Sequence, residues 1–214
     1  MSEWGRYHLT GNPKVLQNLV LADLYALDKP QWTAFCSLEG KVITTAWVEP
    51  VDAGWAIEIP IALFEVLEAH MQRYALRDPF TFTPEKLKNE SRHTLLYAIE
   101  NKMPYLTAST SARFTPQMLA IDAIPNAICW NKGCYLGQEV IMRIHQLGTN
   151  KRALQQFKST KPIEDSRVVD TNQKHVGDVI NFTTVENETW LIAIVPTHAK
   201  PHELLINGAP LLAF

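Results

Sequence analysis

The sequence predicts an α+β fold: mixed or antiparallel sheets with helices packed on them, followed by a small C-terminal β-barrel. Three observations carry this. Runs rich in aromatic and β-branched residues interleave with stretches of helical spacing through the first part of the chain. A charged, apolar-poor stretch, Pro84 to His93, interrupts them. From Lys151 onward the period becomes predominantly two. The chain has 214 residues, 46% of them hydrophobic, and domains usually hold about 100 to 150 residues. The expected division is therefore a region over 1–150, with a possible split near 84–94, and a β unit over 151–214.

The elements follow in order. Tyr7 to Thr10 reads as a strand, Gly11-Asn12-Pro13 as a turn, and Lys14 to Leu21 as a helix with Val15, Leu16, Leu19 and Val20 on its apolar side. Trp32 to Ser37 and Lys41 to Val48 read as strands around a Leu38-Glu39-Gly40 turn, and Trp55 to Ile59 as a third. Pro60 starts a helix whose Ala62, Leu63, Val66, Leu67, His70, Met71 and Tyr74 recur at helical spacing, and Phe80 to Thr83 closes the unit. This pattern predicts a sheet with helices on one face. Pro84 to His93 reads as a connection, Thr94 to Lys102 as a helix, Asn101 to Ala112 as a loop, and Phe114-Thr115-Pro116 as a short helix or turn. Arg152 to Phe157, Arg167 to Val169, His175 to Phe182, Thr189 to Val195 and Glu203 to Ile206 then read as strands, with turns at Asn172, Asn187 and Asn207-Gly208.

Composition narrows the function classes. Lys and Arg number 20 against 22 Asp and Glu, a net charge of −2, so no overall positive field favours direct nucleic-acid binding. Met1 to Gly11 has no long apolar run, and no stretch reaches the ~20 apolar residues of a membrane span. The expectation is a cytoplasmic protein without a signal peptide. Three cysteines, Cys36, Cys129 and Cys134, cannot all pair and are too few for a disulfide scaffold or a four-cysteine cluster. His198 and His202 flank Lys200-Pro201, which breaks any helix that would align them as zinc ligands. No metal site is expected.

The chemistry concentrates in Asn131-Lys132-Gly133-Cys134-Tyr135-Leu136-Gly137-Gln138-Glu139, followed by apolar-periodic Val140, Ile141 and Ile144. This reads as a loop entering a helix. Gly133 and Gly137 permit positive φ and close approach of a ligand to the main chain. Gln138 and Glu139 fall in the helix's first turn, where the macrodipole favours an anionic side chain. A fixed carboxylate suits a ring presenting adjacent N–H donors, because two parallel charge-assisted hydrogen bonds add strength and orientation. A pterin has such an edge. Taken alone, Glu139 could equally complement the dipole. Cys134, near Lys132 and the helix start, is a candidate functional thiol, with a small buried apolar residue as the bland alternative. Asn150-Lys151-Arg152 is a local basic cluster that could flank an anionic tail or face water.

Lys132 to Glu139 resembles the K-G-C-Y-x-G-Q-E signature of YgfZ-type folate-binding proteins of the YgfZ/GcvT family, which are related to the T-protein of the glycine cleavage system, an aminomethyltransferase. Asn150-Lys151-Arg152-Ala153-Leu154 downstream and Phe114-Thr115-Pro116-Gln117 upstream are similar too, and Leu9-Thr10-Gly11 through Gly40-Lys41 more loosely. The resemblance implies tetrahydrofolate or a derivative as cofactor. It sets Glu139 as the pterin-holding carboxylate, with Gln138, Gly137, Tyr135, Lys132, Gly133 and Arg152 around it. It further implies support of iron-sulfur cluster assembly or repair, and so of cluster enzymes such as those that modify tRNA. Two departures accompany it. Gly40 to Thr45 carries no carboxylate where the aminomethyltransferase keeps its catalytic acid, and a block present in longer relatives is missing between Pro84 and Leu95. A folate-dependent one-carbon transferase and an interaction scaffold that has lost folate are the alternatives.

Overall fold

The computed structural model describes residues 3–148 and 150–214. Met1 and Ser2, which begin the stretch read for a leader, and Thr149 lie outside them. Among the described residues no helix is long and apolar enough to cross a membrane.

β1 (Trp4–Thr10), β2 (Gln31–Cys36), β3 (Val42–Val51), β4 (Gly54–Pro60) and β5 (Thr81–Glu85) form an antiparallel sheet in the order β2-β3-β4-β1-β5. α1 (Pro13–Leu19) starts where Asn12 Oδ1 accepts from the Lys14 and Val15 amides and Pro13 fixes the first φ. A 3₁₀ turn, Ile61–Leu63, leads into α2 (Phe64–Ala75). Leu16, Leu19, Leu67 and Met71 of these helices pack on Leu9, Phe35, Ile57 and Ile59 of the strands. β2 is an outer strand, yet all six of its residues are buried. The chain after α1 covers its edge: Leu21 N–H donates to Ala34 O, and Thr33 Oγ1 joins Ala22 N–H to Ala127 O. An open edge is thereby closed against pairing with another chain.

The sheet's other face differs from the expectation of helices on one side only. α3 (Leu95–Glu100) and the preceding 3₁₀ turn, Glu90–His93, cover it, with Trp4, Trp32, Ala98 and Tyr105 as their core. Buried charge explains why. Arg6 and Glu58 are 2% and 1% exposed and would be costly without partners. Arg6 pairs with Glu58 and Glu85, each at 2.9 Å, and with Glu49, while Arg92 and His93 close on Glu58. The charged connection is therefore folded onto the sheet by the ions that the strands bury.

Burial alone would raise the Glu58 carboxyl. Hydrogen bonds from His93, Arg92 and Arg6 outweigh it and bring the group down to about 2. A carboxylate depressed in the folded state stabilises above its unfolded value of 4.5 and loses that contribution as pH falls through about 2. On the order of 3 kcal/mol should therefore disappear across that window. Glu58→Gln should be less stable at neutral pH, by a margin that shrinks as acid denaturation is followed downward. A margin independent of pH would contradict the pairing.

β6 (Arg152–Ser159), β7 (Arg167–Asp170), β8 (His175–Val185), β9 (Glu188–Pro196), β10 (Leu204–Ile206), β11 (Ala209–Pro210) and β12 (Leu212–Ala213) form the second antiparallel sheet, ordered β11-β10-β7-β8-β9-β6-β12. Its two outer strands are separated only by Leu211, so the sheet curls nearly into a barrel. Asn207 and Gly208, at φ 47° and 74°, make the tight turn between β10 and β11. The segment from α3 to residue 147 lies between the sheets, where Ile99, Leu119, Ile121, Tyr135 and Ile141 share one core with Cys36 of the first sheet and Ile192 of the second.

Candidate functional site

The motif runs as turns into α4 (Gln138–Leu147), whose cap is Gly137 at φ 78° and which ends at Gly148. Neighbouring main chain fixes this loop. Leu136 N–H donates to Asn18 O on α1 at 2.8 Å, and Cys129 N–H to Leu21 O at 2.9 Å. A Cβ on Gly137 would meet Ser37 O at 2.6 Å and Gly40 Cα at 2.8 Å. The close approach that this glycine permits is thus made by the hairpin between β2 and β3. Gly133 differs from its expected part: it is exposed, its φ is not positive, and a Cβ there would meet nothing within 4 Å.

Lys132 turns inward. Its Nζ donates to Gln17 O, Val20 O and Ala22 O at 2.6, 2.6 and 2.7 Å, so each ammonium hydrogen has an acceptor where the chain leaves α1. Burial lowers the amine to about 8, opposed by Cys129 and Asp23. Tyr135 packs beneath it, 5.3 Å from Nζ to ring centroid, and burial raises its phenol to about 12.

The rest of the motif opens on a cavity of about 680 Å³. Cys134, Tyr135, Gly137, Gln138 and Glu139 line it, opposite Val15 and Leu19 of α1, Leu38 of the hairpin and Tyr74 of α2. Glu139 is exposed to this space, and among the described residues no side chain forms an ion pair or hydrogen bond with it. An acidic group with spare acceptor capacity on a largely apolar hollow suits a flat ligand carrying N–H donors. Cys134 is exposed on the same wall. Cys129, half-buried, faces a separate hollow beside Trp130, and burial pushes the Cys36 thiol up.

Arg152 stands apart from the cavity lining. Its Nη2 donates to Asp178 Oδ2 at 2.8 Å, and Arg113 holds the other carboxylate oxygen at 2.9 Å. The structure thus brings Cys134, Tyr135, Gly137, Gln138 and Glu139 together and turns Lys132 and Arg152 to other partners. The cavity walls from α1 and α2 carried no functional signal in the sequence, since Val15, Leu19 and Tyr74 sit at ordinary helical core spacing. Thr44 and Thr45, in the Gly40 to Thr45 stretch that carries no carboxylate, are buried with their hydroxyls on Thr45 O and Pro104 O.

Comparison with known proteins agrees with the motif and with the fold. No protein-family model matches the chain. It is 43% identical over 108 residues to the tRNA-modifying protein YgfZ of Colwellia psychrerythraea, covering 47% of this chain and 32% of that one. It is 33% identical over 115 residues to the tRNA-modifying protein YgfZ of Pectobacterium carotovorum, covering 50% and 34%. The chain thus spans about a third of the length of these curated relatives. In fold it is similar to the glycine cleavage system aminomethyltransferase T from Bartonella henselae, with a TM-score of 0.71 at 9% identity over 100% of this chain and 83% of that one.

Proposed function

We propose that this chain, YgfZ-like in sequence and GcvT-like in fold, binds a reduced folate in the Glu139 cavity and serves iron-sulfur enzymes, tRNA-modifying enzymes among them, as an accessory protein. The observation that carries the reading is the Glu139 carboxylate, unpartnered among the described residues at the rim of a hollow of about 680 Å³. That volume falls within the roughly 300 to 1,000 Å³ of small-molecule sites. The pterin edge would donate two parallel hydrogen bonds to the carboxylate, while Leu19, Tyr74 and Leu136 shelter the ring faces. Folate supplies a one-carbon carrier; the chain's residues bind and orient it. The iron-sulfur part of this reading rests on the resemblance of the motif, and the tRNA-modification part on relatives named as tRNA-modifying proteins.

The two cysteines of intermediate or full exposure report on occupancy. Cys134 lines the cavity and Cys129 a different hollow. Added tetrahydrofolate is expected to slow alkylation of Cys134 by iodoacetamide in proportion to the fraction of protein it occupies, with Cys129 unaffected. Unchanged modification of Cys134 at saturating tetrahydrofolate would remove this cavity as the site.

A further inference from the structure

α4 carries a separate hollow at its other end. Gln117, Asp122, Ile144, His145, Gly148 and Asn150 line a space of about 180 Å³, and none of them borders the Glu139 cavity. Gln117 is 5% exposed. Its Nε2 donates to Ile141 O at 2.8 Å, so turning the amide over would give up that bond and set two acceptors against each other. Oε1 is therefore held as it stands, and among the described residues it has no hydrogen-bond partner. A buried acceptor left in this way is costly unless something supplies a donor. The surroundings favour a positive one. Asp122 and His145 are exposed at the mouth, and Asp122 enters no ion pair among the described residues. Gly148 ends α4 there, where the last carbonyls of a helix lack partners and carry its partial negative charge. Among the described residues no lysine or arginine lines the hollow, and Ile144 gives it an apolar side. His145 is held by stacking on Trp130, with 3.8 Å between ring centroids and 13° between planes.

We infer that this hollow binds a small primary amine in its protonated form, which donates to Gln117 Oε1 and to the Asp122 carboxylate and rests its carbon atoms on Ile144. An ammonium carries three donors and no acceptor. It therefore answers an orphan acceptor, a carboxylate and a helix C-terminus together, and the bond to the carboxylate is charge-assisted. The volume lies below the roughly 300 Å³ at which sites for larger ligands begin, so the amine has only a few carbon atoms. This site stands or falls independently of any folate in the Glu139 cavity.

NMR titration of the full chain with ethylammonium chloride at constant ionic strength tests it, read at the Gln117 side-chain amide and the His145 ring. Ethanol, of the same size without charge, and tetramethylammonium, charged without N–H donors, are the controls. Ethylammonium is expected to move both signals along one saturable curve, with neither control doing so. Asp122 is exposed, so its replacement spares the fold, and Asp122→Asn should weaken ethylammonium about tenfold. Movement of His145 without Gln117, an equal response to either control, or equal affinity in Asp122→Asn would overturn the inference. Absence of any saturable response would overturn it too and leave the buried oxygen to water.

Discussion

Lys132→Ala is expected to lower the thermal midpoint by roughly 6 to 12 °C, the counterpart of about 3 kcal/mol in a chain of this size. Its ammonium answers three main-chain carbonyls, Gln17 O, Val20 O and Ala22 O. Removing it strands acceptors in a buried place, which costs more than the lost bonds themselves. The same substitution unties the motif from the end of α1, so ligand affinity should fall together with stability. Differential scanning calorimetry checks the first effect. A shift below about 2 °C, well under the cost of stranded buried acceptors, would mean that this lysine points to a ligand rather than into the protein. Glu139, exposed on the cavity, should behave in the opposite way.

Much of the fold was legible because period is local. The aromatic and β-branched runs of β2 and β3, the period of two in β6 to β9, and the helical spacing in α1 and α2 could be read without knowing what lies across from them. β11 and β12, two residues each, offer no period to read. The second face of the first sheet was hidden for another reason: Glu58 and Arg92, which pin the charged connection down, are 34 positions apart and look like ordinary surface ions in the sequence. In the site, the loop entering a helix at Gln138 was legible from its glycines and its first-turn acid. What each motif side chain touches was not. Lys132 meets Gln17 across 115 positions, and Gly137 is shaped by a hairpin a hundred residues earlier in the chain. Arg152 took its place in the basic cluster from sequence alone, whereas Asp178, its actual partner, comes from β8.

Glu139→Gln is the second large effect, and it falls on binding alone. Glutamine keeps the shape and one acceptor oxygen but loses the charge and places donors where the second hydrogen bond must be accepted. The loss of one charge-assisted bond is about 2 kcal/mol, or roughly thirtyfold in affinity. The unliganded variant should melt within about 1 to 2 °C of wild type, since an exposed side chain with no protein partner contributes little to the fold. Calorimetric titration of tetrahydrofolate into both proteins is the most direct measurement. One-site binding by wild type, with about thirtyfold weaker binding by Glu139→Gln, is the predicted result; equal affinities for the two would contradict Glu139 as the anchor of the ligand.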